Sequence, residues 1–443
     1  MESNFVLLGS AKKAAWCPGT MLGTSAPGVE LQPTEPRSAL EHRKLNPLTP
    51  YKKEAWTREL NRFGLIGRFA KIPEGFRNGF KIDFPPITTV QTPPNKISID
   101  EFEAAFHSII QREVDKGRYI GPFKASVLEC LIGPFQSSSL SIIPKPGKPG
   151  KFRVIQNFSF PHTPNSLFPN QSINSCIDAN DFPTTWGKFS VIYHLIVTLP
   201  PGSEAATRDI SEAYRTVPLY PSQWPAGVIR ISESQFYVDT CTAFGSTLSA
   251  GVYGHVADAG TEIFCHQGIG PLDKWVDDHI FFRIRHEYLE SYNDDRATWH
   301  KEFAKLGLRQ SGGRLWFGEF CPVKGRVEES SEDRSRPLID LSCRSTRLVH
   351  DARFTFCFQD LDDLSEDLGI IWERLKDQLF DTSTIYIGFT WDLRLRIVSL
   401  SPAKVDKYLT AIHKWRKRHM HILHDVQELY GKLLHACSAV PRR

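Results

Sequence analysis

The chain has 443 residues, of which 41% are hydrophobic and 23% are charged, and its formal net charge is +4. This composition argues against wholesale disorder, and the small net charge means that any nucleic-acid-binding surface is local. Nine cysteines are scattered without a CxxC pair, which argues against a zinc ribbon or a disulfide scaffold and favours an intracellular location, cytoplasmic or nuclear. No apolar run approaches the ~18 residues that span a bilayer, so no membrane contact is expected.

The first predicted elements are a leader, a helix and a hairpin. Residues 1–97 are predicted to be a leader and an N-terminal extension, partly disordered, because prolines interrupt the apolar patterns near the N-terminus. Ser98 and Glu101 fit a capping box at the start of a helix whose apolar residues follow at helical spacing. Residues 140–143 and 152–158 are apolar and flank a turn of proline, glycine and lysine, which predicts a β-hairpin with a basic tip.

Strand and helix patterns alternate in the middle of the chain. Residues 205–210 have a strand pattern, and residues 248–265 have helical spacing with many small side chains. Residues 274–282 form two apolar arms around an acidic turn, which predicts a second hairpin. Interleaved strands and helices predict an α+β fold, with an antiparallel sheet that is backed by helices.

The last third of the chain is less regular. A polar helix is predicted over residues 287–305 and a glycine-rich hairpin over residues 312–318. Residues 386–389 are strand-like. A helix is predicted over residues 402–415, with Ser401 as its cap and a proline at its first position.

Two adjacent acids, Asp277 and Asp278, lie in the turn of the second hairpin. Neighbouring side chains on a strand point to opposite faces, so adjacent carboxylates can serve one site only from a tight turn. Burying both charges there is unfavourable unless a cation compensates them, and Mg²⁺ prefers carboxylate oxygens. A solvated Asp-Asp turn is the alternative interpretation.

A third carboxylate favours the metal site. Asp209 ends the predicted strand 205–210, and a third carboxylate from a separate strand can bridge two metal ions. The three aspartates therefore predict a centre with two Mg²⁺ ions, or Mn²⁺, that catalyses nucleotidyl transfer. An ordinary strand-end acid remains the alternative for Asp209. A second acidic pair, Asp294 and Asp295, has no flanking strands and is predicted to lie on a solvated helix surface.

The tip of the first hairpin is basic and contains no acid. Its four cations lie within nine residues: Lys145, Lys148, Lys151 and Arg153. Such a tip can close on a triphosphate, with Arg153 as a bidentate clamp and a lysine as a point charge. A solvated basic turn is the alternative. The sequence has no GxxxxGK[ST] loop, which disfavours a P-loop enzyme.

Six segments, in chain order, resemble the successive motifs of reverse transcriptases: 151–155, 209–214, 244–245, 275–278, 368–370 with Lys376, and 386–389. The resemblance covers residues 98–443 and is greatest to the DIRS-like (tyrosine-recombinase) retrotransposons of fungal genomes. It implies the right-hand architecture of a polymerase, with a palm sheet that carries the carboxylates. The implied regions are fingers (98–200), palm (201–283), an insertion (284–366), the remainder of the palm (367–400), and the start of a thumb or connection (401–443).

The resemblance also implies a role for each matching residue. Asp209 and Asp277 are the principal catalytic and metal-binding residues, with Asp278 in a lesser role. The implied substrate-binding residues are Lys145, Lys151 and Arg153 at the triphosphate, Tyr214 as the steric gate against a 2′-hydroxyl, Phe244 and Gly245 in the template–nucleotide pocket, and Lys376 as the proton donor to pyrophosphate. The implied nucleic-acid-binding residues are Trp275 and Gly388 near the primer, and Lys404, Lys407, Lys414 and Arg416 on the phosphates.

Residue spacing alone leaves other interpretations open for several of these positions. Tyr214 is equally a core residue, and Gly388 a sheet bulge. Lys376 has the spacing of a helix-surface lysine, and the basic helix at 402–415 can be a solvated face. Trp275 stands where the family usually has tyrosine or phenylalanine.

Two functions fit the sequence. The first is an RNA-directed DNA polymerase that adds deoxynucleotides to a primer 3′-hydroxyl; its partners are an RNA or DNA template with a primer, and deoxynucleoside triphosphates. The second is a catalytically inactive, decayed or domesticated retroelement protein that binds nucleic acid. Ala250-Gly251, where the family usually has Ala-Pro, and the lack of a ribonuclease H residue set favour the second. A phosphotransferase of another class would need a phosphate loop that the sequence lacks.

Overall fold

The computed structural model describes residues 35–145, 147–178, 187, 189–305, 310–311, 314–315, 336–344 and 347–439. Much of the predicted leader and most of the hairpin predicted at 312–318 lie outside these residues. The described helices are α1 (Pro36–Leu45), α2 (Lys53–Arg62), α3 (Ile66–Phe69), α4 (Lys71–Asn78), α5 (Ser98–Glu101), α6 (Glu103–Asp115), α7 (Ala125–Ile132), α8 (Phe189–Thr198), α9 (Ser249–His266), α10 (Leu289–Lys305), α11 (Phe358–Leu368), α12 (Pro402–Arg416) and α13 (Leu423–Cys437).

The described strands form five sheets. They are β1 (Tyr119–Phe123), β2 (Ser139–Pro144), β3 (Phe152–Asn157), β4 (Glu204–Asp209), β5 (Val228–Arg230), β6 (Phe236–Asp239), β7 (Leu272–Trp275), β8 (Asp278–Arg283), β9 (Gln310–Ser311), β10 (Arg314–Leu315), β11 (Gln378–Asp381), β12 (Ser383–Tyr386), β13 (Phe389–Asp392) and β14 (Ile397–Leu400).

An antiparallel sheet with the strand order β11-β4-β8-β7 positions the candidate site. Successive residues of β8 belong to different cores: Phe281 to one, and Ile280 and Phe282 to the other. Side chains alternate between the faces of a strand, so the sheet separates the two cores. Helix α9 packs on the first face, where Phe264 meets Phe281 with ring centroids 5.7 Å apart. The predicted α+β class, with an antiparallel sheet backed by helices, is confirmed.

The second core joins the sheet to β12, β13 and β14, which pair in sequence as a three-stranded antiparallel sheet. Phe389 and Trp391 of β13 are 1% exposed and pack against Phe189 of α8, at 4.9 Å between ring centroids in both pairs. This contact attaches the β12–β13 hairpin to α8, which shares the second core with residues of β4 and β8.

The N-terminal extension differs from the prediction over residues 36–78. These residues form α1 to α4, and their apolar side chains belong to the first core, including Leu40 and Trp56. The indole of Trp56 donates a hydrogen bond to the carbonyl of Leu368 at 2.8 Å. Helices α2 and α4 each bury one apolar face, so they were missed because the prolines and glycines near the N-terminus were taken to interrupt any helical pattern.

Several predicted boundaries also change. The helix predicted from Ser98 is interrupted at Phe102, whose backbone (φ −126°, ψ 37°) separates α5 from α6. The capping-box prediction is wrong, since α5 has no side-chain cap and the Ser98 hydroxyl instead accepts a hydrogen bond from Ile142 N–H at 3.2 Å. The predicted insertion contributes to the first core through Phe356 and Leu361.

Among the described residues, no helix is both long and apolar enough to cross a membrane.

Candidate active site

The three acids lie at one end of the central sheet. Asp209 is the last residue of β4 and stands opposite Asp278, the first residue of β8. Trp275 also pairs with Asp278, so Val276 and Asp277 form a two-residue turn between β7 and β8. The carbonyl of Asp277 accepts a hydrogen bond from the backbone N–H of Ile210 at 3.0 Å, which ties the turn to the end of β4.

The acidic turn has an unfavourable backbone conformation. Val276 has a φ of +56°, a region that β-branched residues rarely adopt, and its side chain is buried. Strained backbone of this kind persists only where the surroundings hold it in place, and it is found at functional sites. Here the buried valine and the hydrogen bond from Ile210 to Asp277 hold the turn.

Burial and the charges of neighbouring acids raise the pKa values of Asp277 and Asp278. Burial, assisted by the negative charge of Asp209, raises the pKa of Asp277. Asp278 is exposed to solvent, but protein atoms surround part of its carboxylate. Its partial burial, and then the charges of Asp277 and Asp209, raise its pKa to about 6. The three carboxylates therefore form a site whose charge a bound cation would stabilise.

Lys376 supplies a cation to this site. Its Nζ lies 2.8 Å from Oδ1 and 2.6 Å from Oδ2 of Asp209. Partial burial opposes the charge of Lys376, but the hydrogen bond to Asp209 and the charges of the three acids raise its pKa. Lys376 is the last residue of a short 3₁₀ helix, and its side chain is 56% exposed, so it lies at the surface and also binds Asp209.

The oxygen ligands have the chemistry that Mg²⁺ requires, but they are not arranged as a complete metal site. Within the part of the chain that the structure describes, no cluster of three or more His, Cys, Asp or Glu side chains is placed to hold a metal ion. Asp209 is bound by Lys376 instead. The residues thus fit the metal chemically, and a rearrangement of Lys376 would accompany its binding.

Arg208 holds the turn that carries Lys376. This arginine is 1% exposed, and its guanidinium donates to Asp362 at 2.6 Å and to Asp377 at 2.9 Å. It also lies 4.8 Å from the ring of Trp372. Because Arg208 adjoins Asp209 and Asp377 adjoins Lys376, these contacts fix both partners of the ion pair. The sequence offered no signal for this arrangement.

The predicted nucleotide-binding residues meet beside the acids. The ring of Tyr214 lies 4.9 Å from that of Phe244, and the guanidinium of Arg153 lies 5.7 Å from Phe244. Burial, and then the charge of Asp277, raise the pKa of Tyr214. Arg153, Phe244 and Tyr214 therefore form a continuous surface from the basic hairpin to the carboxylates.

The basic tip of the β2–β3 hairpin adjoins Arg153 of β3. Lys145 and Lys151 are exposed where the two strands enter the tip. The backbone N–H of Lys145 donates a hydrogen bond to the carbonyl of Lys151 at 2.8 Å. Partial burial, and then repulsion from cations that include Arg153 and Lys376, lower the pKa of Lys145. Lys145 is thus close enough to Lys376 for their charges to interact.

Gly245 has a structural reason to be glycine. Its φ is +104°, and a Cβ atom there would lie 2.3 Å from the carbonyl oxygen of Gln156 in β3. The amide of Asn174 donates to the carbonyl of Gly245 at 2.9 Å. Close backbone packing against the basic hairpin therefore explains this residue.

Buried and half-buried ion pairs hold the turn that contains Tyr214. Glu212 has a φ of +51° and binds Lys116 at 2.6 Å and Arg118 at 2.8 Å. Burial opposes the charge of Glu212, but these hydrogen bonds lower its pKa to about 2. Sequence analysis missed these positions, since their partners lie about 95 residues earlier, in the loop between α6 and β1.

A cavity of about 1180 Å³ opens on the acids from the other side. It joins the carboxylates to four predicted residues: Trp275, Lys376, Gly388 and Lys404. Trp275 is 42% exposed there. Lys407 and Lys414 instead line a groove between α12 and α13, together with Asp425 and Glu428. Arg416 is exposed near the end of α12.

Comparison with known proteins gives structural matches only. No model of a known protein family matches the chain, and no curated protein matches it. Similar solved structures include viral protease–reverse transcriptases. A foamy viral protease–reverse transcriptase with an RNA/DNA hybrid has 12% identity and a TM-score of 0.46, and the match covers 91% of this chain and 41% of that one. The same protein with double-stranded DNA has 12% identity and a TM-score of 0.44, over 92% of this chain and 64% of that one. The chain thus spans less than two thirds of their length.

Proposed function

We propose that the chain is an RNA-directed DNA polymerase of a DIRS-like retroelement, which adds deoxynucleotides to a primer 3′-hydroxyl. One observation carries the proposal: Asp209, Asp277 and Asp278 meet at the end of one sheet. On one side of them lies the surface of Tyr214, Phe244 and Arg153, and on the other lies the cavity that reaches Gly388 and Lys404.

Each part of this surface has a task in nucleotidyl transfer. Two Mg²⁺ ions held by Asp209 and Asp277, with Asp278 nearby, would activate the primer 3′-hydroxyl and neutralise charge on the triphosphate. Arg153, with Lys145 and Lys151, binds the triphosphate, and charge-assisted hydrogen bonds of this kind are strong. Tyr214 lies under the sugar. Lys376 would donate a proton from Nζ to the leaving pyrophosphate.

The proposal is tested by primer extension on paired RNA and DNA templates of the same sequence. Wild type is expected to extend the primer on RNA in Mg²⁺, and Asp277→Asn is expected to stop extension. Asp295→Asn is a matched control, because Asp295 lies exposed on α10. Extension that persists in Asp277→Asn would overturn the assignment of the site.

A second candidate is a catalytically inactive protein that binds nucleic acid. The observation that favours it is the ion pair of Lys376 with Asp209, which occupies a predicted metal ligand. This alternative predicts salt-dependent binding to template–primer that Asp277→Asn leaves unchanged, and no extension by wild type in Mg²⁺ or Mn²⁺.

Lys376→Met is expected to tighten Mg²⁺ binding, because the ammonium no longer competes for the oxygens of Asp209. Lys376 is partly exposed, so the pair is weak, and we expect a dissociation constant about three- to tenfold lower. Calorimetric titration without nucleotide measures it. Lys301→Met on the exposed face of α10 serves as the control. An unchanged Mg²⁺ affinity in Lys376→Met would show that Lys376 does not compete with the metal.

Tyr214→Val is expected to admit ribonucleotides, because it removes the ring that lies against Phe244. The ratio of kcat/KM for deoxynucleotides to that for ribonucleotides is expected to fall about 100-fold, since the pocket loses its contact against the 2′-hydroxyl. Tyr214→Phe keeps the ring and is expected to keep the ratio. If Tyr214 is only a core residue, Tyr214→Val lowers stability and leaves the ratio unchanged.

A further inference from the structure

The turn between β12 and β13 is held by the two helices that follow it. Its residues, Ile387 and Gly388, have φ values of +46° and +86°. The carbonyl of Gly388 accepts a hydrogen bond from the backbone N–H of Ser401 at 3.1 Å, and the carbonyl of Ile387 accepts one from Nε2 of His435 at 2.9 Å. Both turn carbonyls are therefore bound by residues at the start of α12 or on α13.

His435 contacts three elements at once. Since its Nε2 donates to the carbonyl of Ile387, Nδ1 of the neutral ring accepts from the hydroxyl of Tyr408 at 2.9 Å. Its ring also stacks on Phe389 of β13, with centroids 4.5 Å apart and planes 12° from parallel. One imidazole thus connects α12, α13 and the hairpin.

The space around Gly388 is filled by the same residues. A Cβ atom at Gly388 would lie 2.7 Å from Cε of Lys404 and 3.2 Å from Cε1 of His435. Gly388, Lys404 and His435 line the cavity that opens on Asp209 and Asp278. A displacement of His435 would therefore move the turn relative to the acids.

We propose that His435 is a positioning residue that makes the β12–β13 turn and the pair of helices α12 and α13 move as one unit. It acts through Tyr408 and the carbonyl of Ile387, and it sets the place of Gly388 against the primer terminus. This inference rests on the proposed function, in which Gly388 lies at the primer. When the helices grip the template–primer, the turn is carried with them.

The test compares template–primer binding with nucleotide binding. His435→Ala removes two hydrogen bonds and is expected to raise the KM for template–primer about tenfold. Tyr408→Phe removes one and is expected to raise it about threefold. The KM for deoxynucleotides is expected to stay unchanged. The double variant is expected to match His435→Ala, because both residues act in one network. His435→Gln retains a donor for Ile387 and is expected to recover part of the effect.

Hydrogen exchange gives a readout that does not require activity. The backbone N–H of Ser401 is bound to the turn, so its exchange is expected to accelerate in His435→Ala and Tyr408→Phe. Tyr430→Phe and His424→Ala on the exposed surface of α13 are matched controls. If exchange at Ser401 is unchanged, or if the two KM values rise together, the inference is overturned. If the wild-type protein extends no primer, the proposed polymerase function is rejected. Hydrogen exchange at Ser401 would still decide whether His435 holds the turn.

Discussion

Replacing Asp277 with asparagine is expected to lower kcat/KM for primer extension by about 1000-fold or more. A carboxylate that holds the catalytic metal contributes several kcal/mol of transition-state stabilisation, and each 1.36 kcal/mol is tenfold in rate. Asparagine has nearly the same shape, and the hydrogen bond from Ile210 uses the backbone carbonyl of Asp277, which the substitution retains. The loss is therefore expected in the chemical step and not in the fold.

Stability distinguishes this explanation from misfolding. The pKa of Asp277 is raised in the folded protein, so its negative charge opposes folding at neutral pH. Removing that charge is expected to leave the melting temperature equal or higher in the absence of metal. Asp295→Asn is expected to retain full activity. A variant Asp277→Asn that loses activity together with its folded structure would contradict this account.

Replacing Arg215 with methionine is expected to lower the free energy of unfolding by about 3–5 kcal/mol, which is the loss typical of breaking a buried ion pair. Arg215 binds Asp239 at 2.7 Å and Glu113 at 3.1 Å. Asp239 is 1% exposed and Glu113 is 8% exposed, so the substitution leaves the buried Asp239 without its ion-pair partner and leaves Glu113 with Arg118, at 3.4 Å. Chemical denaturation at neutral pH measures the loss.

The pH dependence of this loss has a defined sign. Burial raises the pKa of Asp239, and Arg215 is the main group that opposes this rise. Without the arginine, folding requires Asp239 to take up a proton, which becomes easier as pH falls. The difference in free energy of unfolding between wild type and Arg215→Met is therefore expected to shrink at acidic pH. Arg394→Met, at an exposed position, is expected to stay within about 0.5 kcal/mol of wild type. A loss at Arg215 that does not vary with pH would contradict the proposed cause.

The local elements of the site were predictable because their signals are local. The acidic turn with its apolar arms became the β7–β8 hairpin, and the helical spacing after residue 248 became α9. Apolar side chains recur every two residues along a half-buried strand and about every 3.6 residues along an amphipathic helix. Both patterns appear within a few residues, so they can be recognised without tertiary information. The roles of the individual site residues remain predictions until activity is measured.

Contacts between distant segments were not predictable. Trp56 owes its position to the carbonyl of Leu368, 312 residues away. Lys376 reaches Asp209 because Arg208 binds Asp377, across 169 residues, so its spacing along the chain gave no sign of this contact. The same holds for His435, whose partner Ile387 lies 48 residues earlier in the chain.

The backbone at Val276 limits how this protein can be engineered for heat resistance. Choosing the residue that best suits each backbone angle would place glycine at this position, because glycine adopts positive φ without a steric penalty. That choice would also remove the buried side chain that anchors the residue before Asp277. Thermostability and placement of the carboxylate thus make opposite demands on a single position, and a library built for one property has to be screened for the other.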